Sequence, residues 1–392
     1  MAHAADVVVV GYGEIGTKSS AVRRRMLDRL AENLDAVLAD RGLDATVERS
    51  WARLYVDGDD PDRCARAAGE VPGAVWARPA RRCEPTIGAV VEALCGLALA
   101  RPPEETFAVR ASVAGEDRTF SGSDVERVGG REILDRVGGR VDLDDPDRVY
   151  RAECREEAYV SAIQYDGPGG LPVGTQGTVV ALVSGGIDSP VAAWHLLRRG
   201  CRVVPLYVDL GAYGGVDHRE RAVETVERLR RRAPNVDGRL RIVHGGPVVE
   251  RVVQEIDDTR MLSLRRAMLR MASVVAEREG AQALATGEAV GQKSSQTGPN
   301  LAVTDAAVGY PVHRPLLTRD KPDIVACARE LGTFDDATLP VGCERIAPAH
   351  PETAATRAAV EAAEPDDLLD HAARVARDVV VVESAEETER VD

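Results

Sequence analysis

Residues 178–194, TVVALVSGGIDSPVAAW, leave the chain few ways to fold. Residues 179–183 are apolar and mostly β-branched, as in a strand buried on both faces of a parallel sheet. Ser184-Gly185-Gly186 then make a turn that only small residues fit. Ser189-Pro190 opens a helix, with Ser as a good N-cap and Pro at home in the first turn. A strand, a Gly-rich turn and a helix N-terminus gather free backbone N–H groups at the positive end of a dipole. That arrangement binds anions, phosphate above all. The Walker A loop is excluded, because no Gly-Lys-Ser/Thr follows the glycines.

The chain is 392 residues long, enough for two or three domains, and its 44% hydrophobic content supports proper cores. No apolar run approaches the length of a membrane span, so no membrane partner is expected. The N-terminus lacks the basic start and cleavage site of a signal peptide. Seven cysteines, an odd number with no two closer than twelve positions, form neither a disulfide framework nor a zinc pattern. A reducing cytoplasm is the expected location.

The net charge is −14, which at first argues against nucleic acid. Along the chain it is −3 over residues 1–60, −5 over 61–175, +2 over 176–345 and −8 over 346–392. The segment around the phosphate loop is therefore the least acidic. Lysine is nearly absent: Lys18, Lys293 and Lys321 are the only three. High acid, little Lys and few aromatics look like a protein from a salt-loaded cytoplasm. Long-range phosphate attraction is screened within a few ångströms there, so acidity weighs little against RNA.

From the N-terminus, residues 6–10 read as a strand and 21–40 as a helix, with Gly11, Gly13 and Gly16 between them spelling G-x-G-x-x-G. The spacing mimics a dinucleotide-binding turn. The acidic residue such a site needs about twenty residues later would fall inside the helix, and short strands at 45–49 and 53–56 follow with no further βαβ unit. A small α+β layer over residues 1–60 is the better reading. Residues 61–166 read as a second α+β unit, with helices at 62–68, 86–100 and 121–137, a strand at 106–113, and a hairpin from 148–154 and 158–165. The Gly- and Pro-rich residues 167–177 are a linker. Strict β/α alternation then runs through 178–345, a doubly wound parallel sheet with helices on both faces. Residues 346–392 read as an acidic helical tail.

Ligands of open α/β sheets lie beyond the carboxyl ends of the strands. Three such ends collect here, at residues 184–189, 207–209 and 287–296. The last, TGEAVGQKSSQTGPN, carries one of the three lysines. In a chain that prefers Arg, a retained Lys suggests a site wanting a compact charge, so Lys293 and Lys321 are candidates for neutralising phosphates. Cys343 lies in LPVGCERIAPAHPE, a loop sequence with Arg345 nearby, which favours a thiolate. Cys327 by contrast reads as a core residue, and Cys201 precedes a strand.

With GYGEIGTKS near the start, GLPVGTQG in the linker, LVSGGIDSPVAAW, TGEAVGQKSSQT, RPLLTRDK and the late GCERI cysteine, the chain resembles the tRNA 4-thiouridine synthetases, the ThiI family, over nearly its full length. The resemblance implies a ferredoxin-like domain, a THUMP RNA-binding domain and an ATP pyrophosphatase (PP-loop) domain. It implies ATP-dependent thiolation of uridine 8 in tRNA: adenylation of uracil O4, then sulfur transfer from a persulfide on Cys343. Ser184, Gly185, Gly186, Asp188 and Ser189 would take the phosphates, Asp188 with Mg²⁺, and Lys321 would stabilise the departing charge. Family ATP contacts map onto Leu182, Val183, Tyr207, Val208, Arg265, Gly287 and Gln296.

Two departures from the family pattern bear on the sulfur chemistry. Many bacterial members end in a rhodanese domain carrying the persulfide; this chain has no cysteine beyond Cys343. Some archaeal members have C-x-x-C where this chain has Met261 and Leu264, so an iron–sulfur cluster on that pair is not supported, and no protein metal site is expected. The persulfide donor stays open, Cys201 and Cys327 are candidate resolving thiols, and a homodimer is among the assemblies the sequence allows. The competing reading is an adenylating sulfurtransferase acting on a sulfur-carrier protein in thiamine synthesis, which has no use for an RNA-binding arm.

Overall fold

VVVVGY builds the first strand, β1 (Val7–Tyr12), and sends its side chains two ways. Val8 and Val10 pack with Leu30 and Leu34 of α1 (Ser20–Asp40), while Val7 and Val9 cluster with Tyr159 on the other face. The structure is a computed structural model, and it describes residues 5–50, 52–115, 119–214, 216–334 and 346–382. They form two compact units that divide between Pro172 and Val173. No helix among the described residues is long and apolar enough to cross a membrane.

In the first unit β2 (Ala45–Arg49), β3 (Leu54–Gly58), α2 (Pro61–Ala68), β4 (Ala74–Cys83), α3 (Ile87–Ala100), β5 (Thr106–Val113), α4 (Gly122–Val137), β6 (Arg140–Val141), β7 (Arg148–Cys154), β8 (Ala158–Ser161) and β9 (Tyr165–Asp166) follow. The strands lie in the order β2-β3-β1-β4-β8-β7-β5-β6, with β9 also on β4. Both neighbours of β1 are antiparallel to it, so the glycines after β1 open no parallel βαβ unit and the dinucleotide reading fails. Gly11 serves packing instead: a Cβ there would sit 2.2 Å from the Trp76 ring. Two cores underlie this sheet. Cys64, Ala68, Val71 and Ala77 share the first with α1, so that packing runs well past residue 60; α3, α4, β5 and β7 enclose the second. Ser121 caps α4 with a reciprocal capping box to Asp124.

The second unit contains β10 (Thr178–Leu182), α5 (Asp188–Arg198), β11 (Arg202–Asp209), α6 (Val216–Arg230), β12 (Leu240–His244), α7 (Gly246–Glu255), α8 (Arg260–Glu279), β13 (Ala283–Ala285), α9 (Gly298–Asp305), β14 (Val312–His313), α10 (Lys321–Leu331), α11 (Arg357–Ala363), α12 (Leu368–Val375) and β15 (Val380–Val382). Its strand order is β14-β13-β10-β11-β12-β15, parallel except for β15. Alternate residues of the central strands feed opposite cores. Val179, Ala181 and Val203 pack against α5 and α10, whereas Val180, Val204 and Leu206 pack against α7 and α8. The second core is dense enough that truncating Leu264 to Ala would cost about 2–5 kcal/mol. The chain leaves β10 toward β11 on one side and later returns to β13 on the other, which puts the topological switch point between β10 and β13.

Two segments depart from their sequence reading. Residues 298–305 are helical because Thr297 caps Asn300 and Pro299 sits in the first turn; the Gly, Pro and Asn residues disguise a helix start as loop. The acidic tail does not stand apart either. Leu368, Ala372 and Ala376 pack into the core beside α8, and Val380–Val382 adds an antiparallel edge strand to β12.

Candidate active site

Each side of the switch point carries one of the expected loops. After β10, Ser189 Oγ turns back and accepts the Ser184 N–H at 2.8 Å, with Ser184 Oγ 3.1 Å away. Ser184 Oγ in turn accepts the Gly186 N–H at 3.3 Å. Ser189 is therefore not the N-cap. The helix begins at Asp188, its N-cap is Ile187, and no side chain caps it. The hydroxyl expected to satisfy the helix end is spent on closing the loop, which leaves that end for an outside anion.

The second loop presses directly on this helix end. A Cβ on Gly287 would lie 2.7 Å from the Ser189 nitrogen and 2.9 Å from the Asp188 carbonyl carbon, so only glycine permits the approach. Lys321, the first residue of α10, places Nζ 2.6 Å from Asp188 Oδ1. That side chain is 47% exposed and Asp188 30%, so the pair is a weak, exchangeable contact of at most about 1 kcal/mol.

Behind the second loop lies a buried charge cluster that sequence reasoning did not find. Glu288 is 5% exposed. It pairs with Arg265 of α8, accepts Arg314 Nε at 2.8 Å and accepts the Thr286 hydroxyl at 2.8 Å. Arg314 continues to Asp305 through a two-pronged contact of 2.7 and 3.1 Å. Burial pushes the Glu288 carboxyl up, but Arg265 and Arg314 outweigh it and hold the group below the usual carboxylate range. Arg265 is thereby fixed at the loop's edge. Gln296, also buried, leaves Oε1 without a hydrogen-bond partner. Lys293 accepts the Gln296 N–H on its carbonyl at 2.9 Å, which folds the loop back on itself. A polar residue directly after a short buried strand (ALA, then Thr-Gly-Glu) was the one local signal for Glu288.

The remaining expected residues fall into three groups. Leu182 ends β10 and Val183 follows it, and Tyr207 and Val208 lie near the end of β11; Val183, Tyr207 and Val208 are buried. Val183 donates its N–H to the Leu206 carbonyl at 2.8 Å, which ties the two strand ends together. Cys201 and Cys327 sit in the α5/α10 core, where burial pushes both thiols up and keeps them protonated. Cys343 lies outside the described residues.

The first unit presents a different surface. On the sheet face opposite α1, Tyr55 and Tyr159 stack at 4.9 Å, and Arg53 and Arg78 lie 5.1 and 3.8 Å from the Trp76 ring centre. Burial and the neighbouring Arg151 pull Arg78 down to about 10. The guanidinium groups pack against the Trp76 ring, and Tyr159 is buried in the same cluster.

Comparison with known proteins decides the family. The model described as "Thiamine biosynthesis protein (ThiI)" matches residues 174–368, the ThiI ferredoxin-like domain 7–77 and the THUMP domain 86–162. A "probable tRNA sulfurtransferase" of Halobacterium salinarum is 50% identical over 386 residues, covering 97% of this chain and 98% of its own. This chain belongs to the tRNA sulfurtransferase family. The tRNA sulfurtransferase of Pyrobaculum aerophilum is 36% identical across 86% of this chain and 69% of its own. A crystal structure of a 4-thiouridine synthetase in complex with RNA and ATP superposes with a TM-score of 0.82 at 28% identity, covering 97% of this chain and all of the other. Family membership assigns the first unit its ferredoxin-like and THUMP folds and the second its PP-loop fold.

Proposed function

We infer that this chain is an ATP-dependent tRNA sulfurtransferase that forms 4-thiouridine. The observation that carries the reading is the closed Ser184–Ser189 loop at an uncapped helix N-terminus, with Lys321 held on Asp188 at the β10/β13 switch point. A 4-thiouridine synthetase of the same fold was solved with ATP and RNA, which favours tRNA over a sulfur-carrier protein as the acceptor.

ATP is the substrate the loop fits. Gly287 admits the β13 loop against α5, and Ser184, Gly185, Gly186, Asp188 and Ser189 surround the place where phosphates meet the helix end. Leu182, Val183, Tyr207 and Val208 offer strand-end backbone to adenine, with Arg265 and Gln296 at the rim. No cluster of three or more metal-ligating side chains exists among the described residues, so Mg²⁺ would arrive on the ATP phosphates with Asp188 as its protein carboxylate. As charge develops on pyrophosphate, Lys321 exchanges its weak contact with Asp188 for the leaving group.

In the proposed sequence uracil O4 attacks the α-phosphorus, and the bond to the β-phosphate oxygen breaks. The terminal sulfur of a Cys343 persulfide then bonds to C4 as AMP leaves with the uracil oxygen. A second thiol takes the Cys343 sulfur as a disulfide, and the electron pair of the old S–S bond stays on the 4-thiouridine sulfur. Burial makes Cys201 and Cys327 poor candidates for that thiol. The aromatic and arginine face around Trp76 and Tyr55, with Arg53 and Arg78, is the surface we assign to tRNA. All six described cysteines are free, which suits a reducing cytoplasm. The test is bulk tRNA from a deletion strain, digested and read by mass spectrometry: 4-thiouridine disappears if the reading is right, and its persistence at the normal level sinks it.

A further inference from the structure

Among the described residues, one buried cation beside the phosphate loop has no counter-charge. Arg221, on α6, is only 8% exposed. A Cβ placed on Gly185 would lie 3.0 Å from the Arg221 Cβ and 3.3 Å from its Cδ, so the arginine stem runs along the backbone of the loop. Its Nη1 is buried without a hydrogen-bond partner, and no ion pair forms to it among the described residues. Two arginines buried more deeply are treated differently. Arg241 meets Asp237 and Glu279, and Arg266 meets Glu361 and Glu364.

An unpaired buried guanidinium is costly, and a fold retains one where an anion completes it. Arg221 adjoins Gly185 on the loop whose helix end also lacks a side-chain cap. Two independent features thus ask for negative charge at one place. The planar fork of Arg matches two phosphate oxygens at once, which the point charge of Lys321 does not. We propose that Arg221 is a phosphate-binding residue that receives the pyrophosphate leaving group from the α6 side of the loop. This rests on the adenylation reading and adds to it a second cation, with a division of labour: Lys321 approaches from the exposed side and Arg221 from the buried side.

The experiment titrates inorganic pyrophosphate and, separately, AMP into the full chain and its R221M and R221K variants, with melting curves of the ligand-free proteins. R221M weakens pyrophosphate on the order of 10- to 100-fold, the scale of a lost charge-assisted contact, and leaves AMP within about twofold. R221K, which keeps the charge without the fork, falls between. Ligand-free R221M melts no lower than wild type, because it removes a charge that no described residue neutralises. Wild-type affinity for pyrophosphate in R221M overturns the inference alone. So does a lower melting temperature with equal loss of both ligands in R221M and R221K, the pattern of a structural arginine. A wild-type chain that binds neither pyrophosphate nor AMP removes the adenylation reading and the inference with it.

Discussion

Replacing Glu288 with Gln keeps the shape of the buried cluster and removes its charge. Glu288 is the shared partner of Arg265 and Arg314, and it and Arg314 are both 6% exposed at the side chain. Taking one partner from a buried ion pair leaves charge uncompensated and costs about 3–5 kcal/mol. At about 2–4 °C per kcal/mol for a unit of this size, E288Q should melt roughly 6–20 °C lower near neutral pH. Burial shields the cluster from screening, so the deficit should persist in concentrated salt, unlike that of a surface pair. The sign with pH follows from the depressed carboxyl. Its contribution is complete above the unfolded value of about 4.3 and is lost as pH falls through the lower folded value. The gap between wild type and E288Q is therefore widest at neutral pH and closes on acidification. The assay is calorimetry of both proteins from pH 7 downward, with the KM for ATP at pH 7. Arg265 loses its anchor in E288Q, so KM should rise several-fold. A variant within about 1 kcal/mol of wild type at pH 7, or a gap that widens in acid, refutes the argument that this cluster braces the site.

Three other outcomes follow from the same geometry. G287A forces a Cβ against the backbone of Asp188 and Ser189, which cannot yield as a flexible side chain would; ATP-dependent AMP formation should fall at least about 100-fold while circular dichroism stays native. K321M should lower kcat about 10²- to 10³-fold with little change in melting temperature, since its ion pair is half exposed, and K321R should recover only part of the rate. C343S should abolish 4-thiouridine while tRNA-dependent pyrophosphate release continues, which a joint assay of both products reads directly.

What the sequence revealed and what it hid have a common physical cause. Residues 179–189 were legible because strand, turn and helix start are local, and small residues at a tight turn have few alternative uses. The strand was legible as buried on both faces; which alternate positions of β10 and β11 feed which core came only with the structure. The Glu288 cluster was not, because Arg265, Asp305 and Arg314 reach it from separate elements and no local periodicity marks a buried ion pair. Arg221 was hidden for a similar reason, as one charge among many in a helix rich in charged residues. Ser189 was misjudged as a cap because Ser-Pro at a helix start is the usual capping signal; here closing the loop on Ser184 competes for the same hydroxyl and wins. Residues 379–382, four valines in a tail expected to be helical, end in a strand because the edge of β12 offers a partner that the sequence does not show.

The central claim is that the loop at Ser184–Ser189 supports adenylation of uracil O4. It is tested by giving the purified chain ATP, a persulfide donor and tRNA carrying ¹⁸O at uracil O4. The account predicts one labelled oxygen in AMP for each 4-thiouridine formed, with unlabelled pyrophosphate. Label appearing in inorganic phosphate with ADP as the nucleotide product, or 4-thiouridine formed without ATP cleavage, would contradict it.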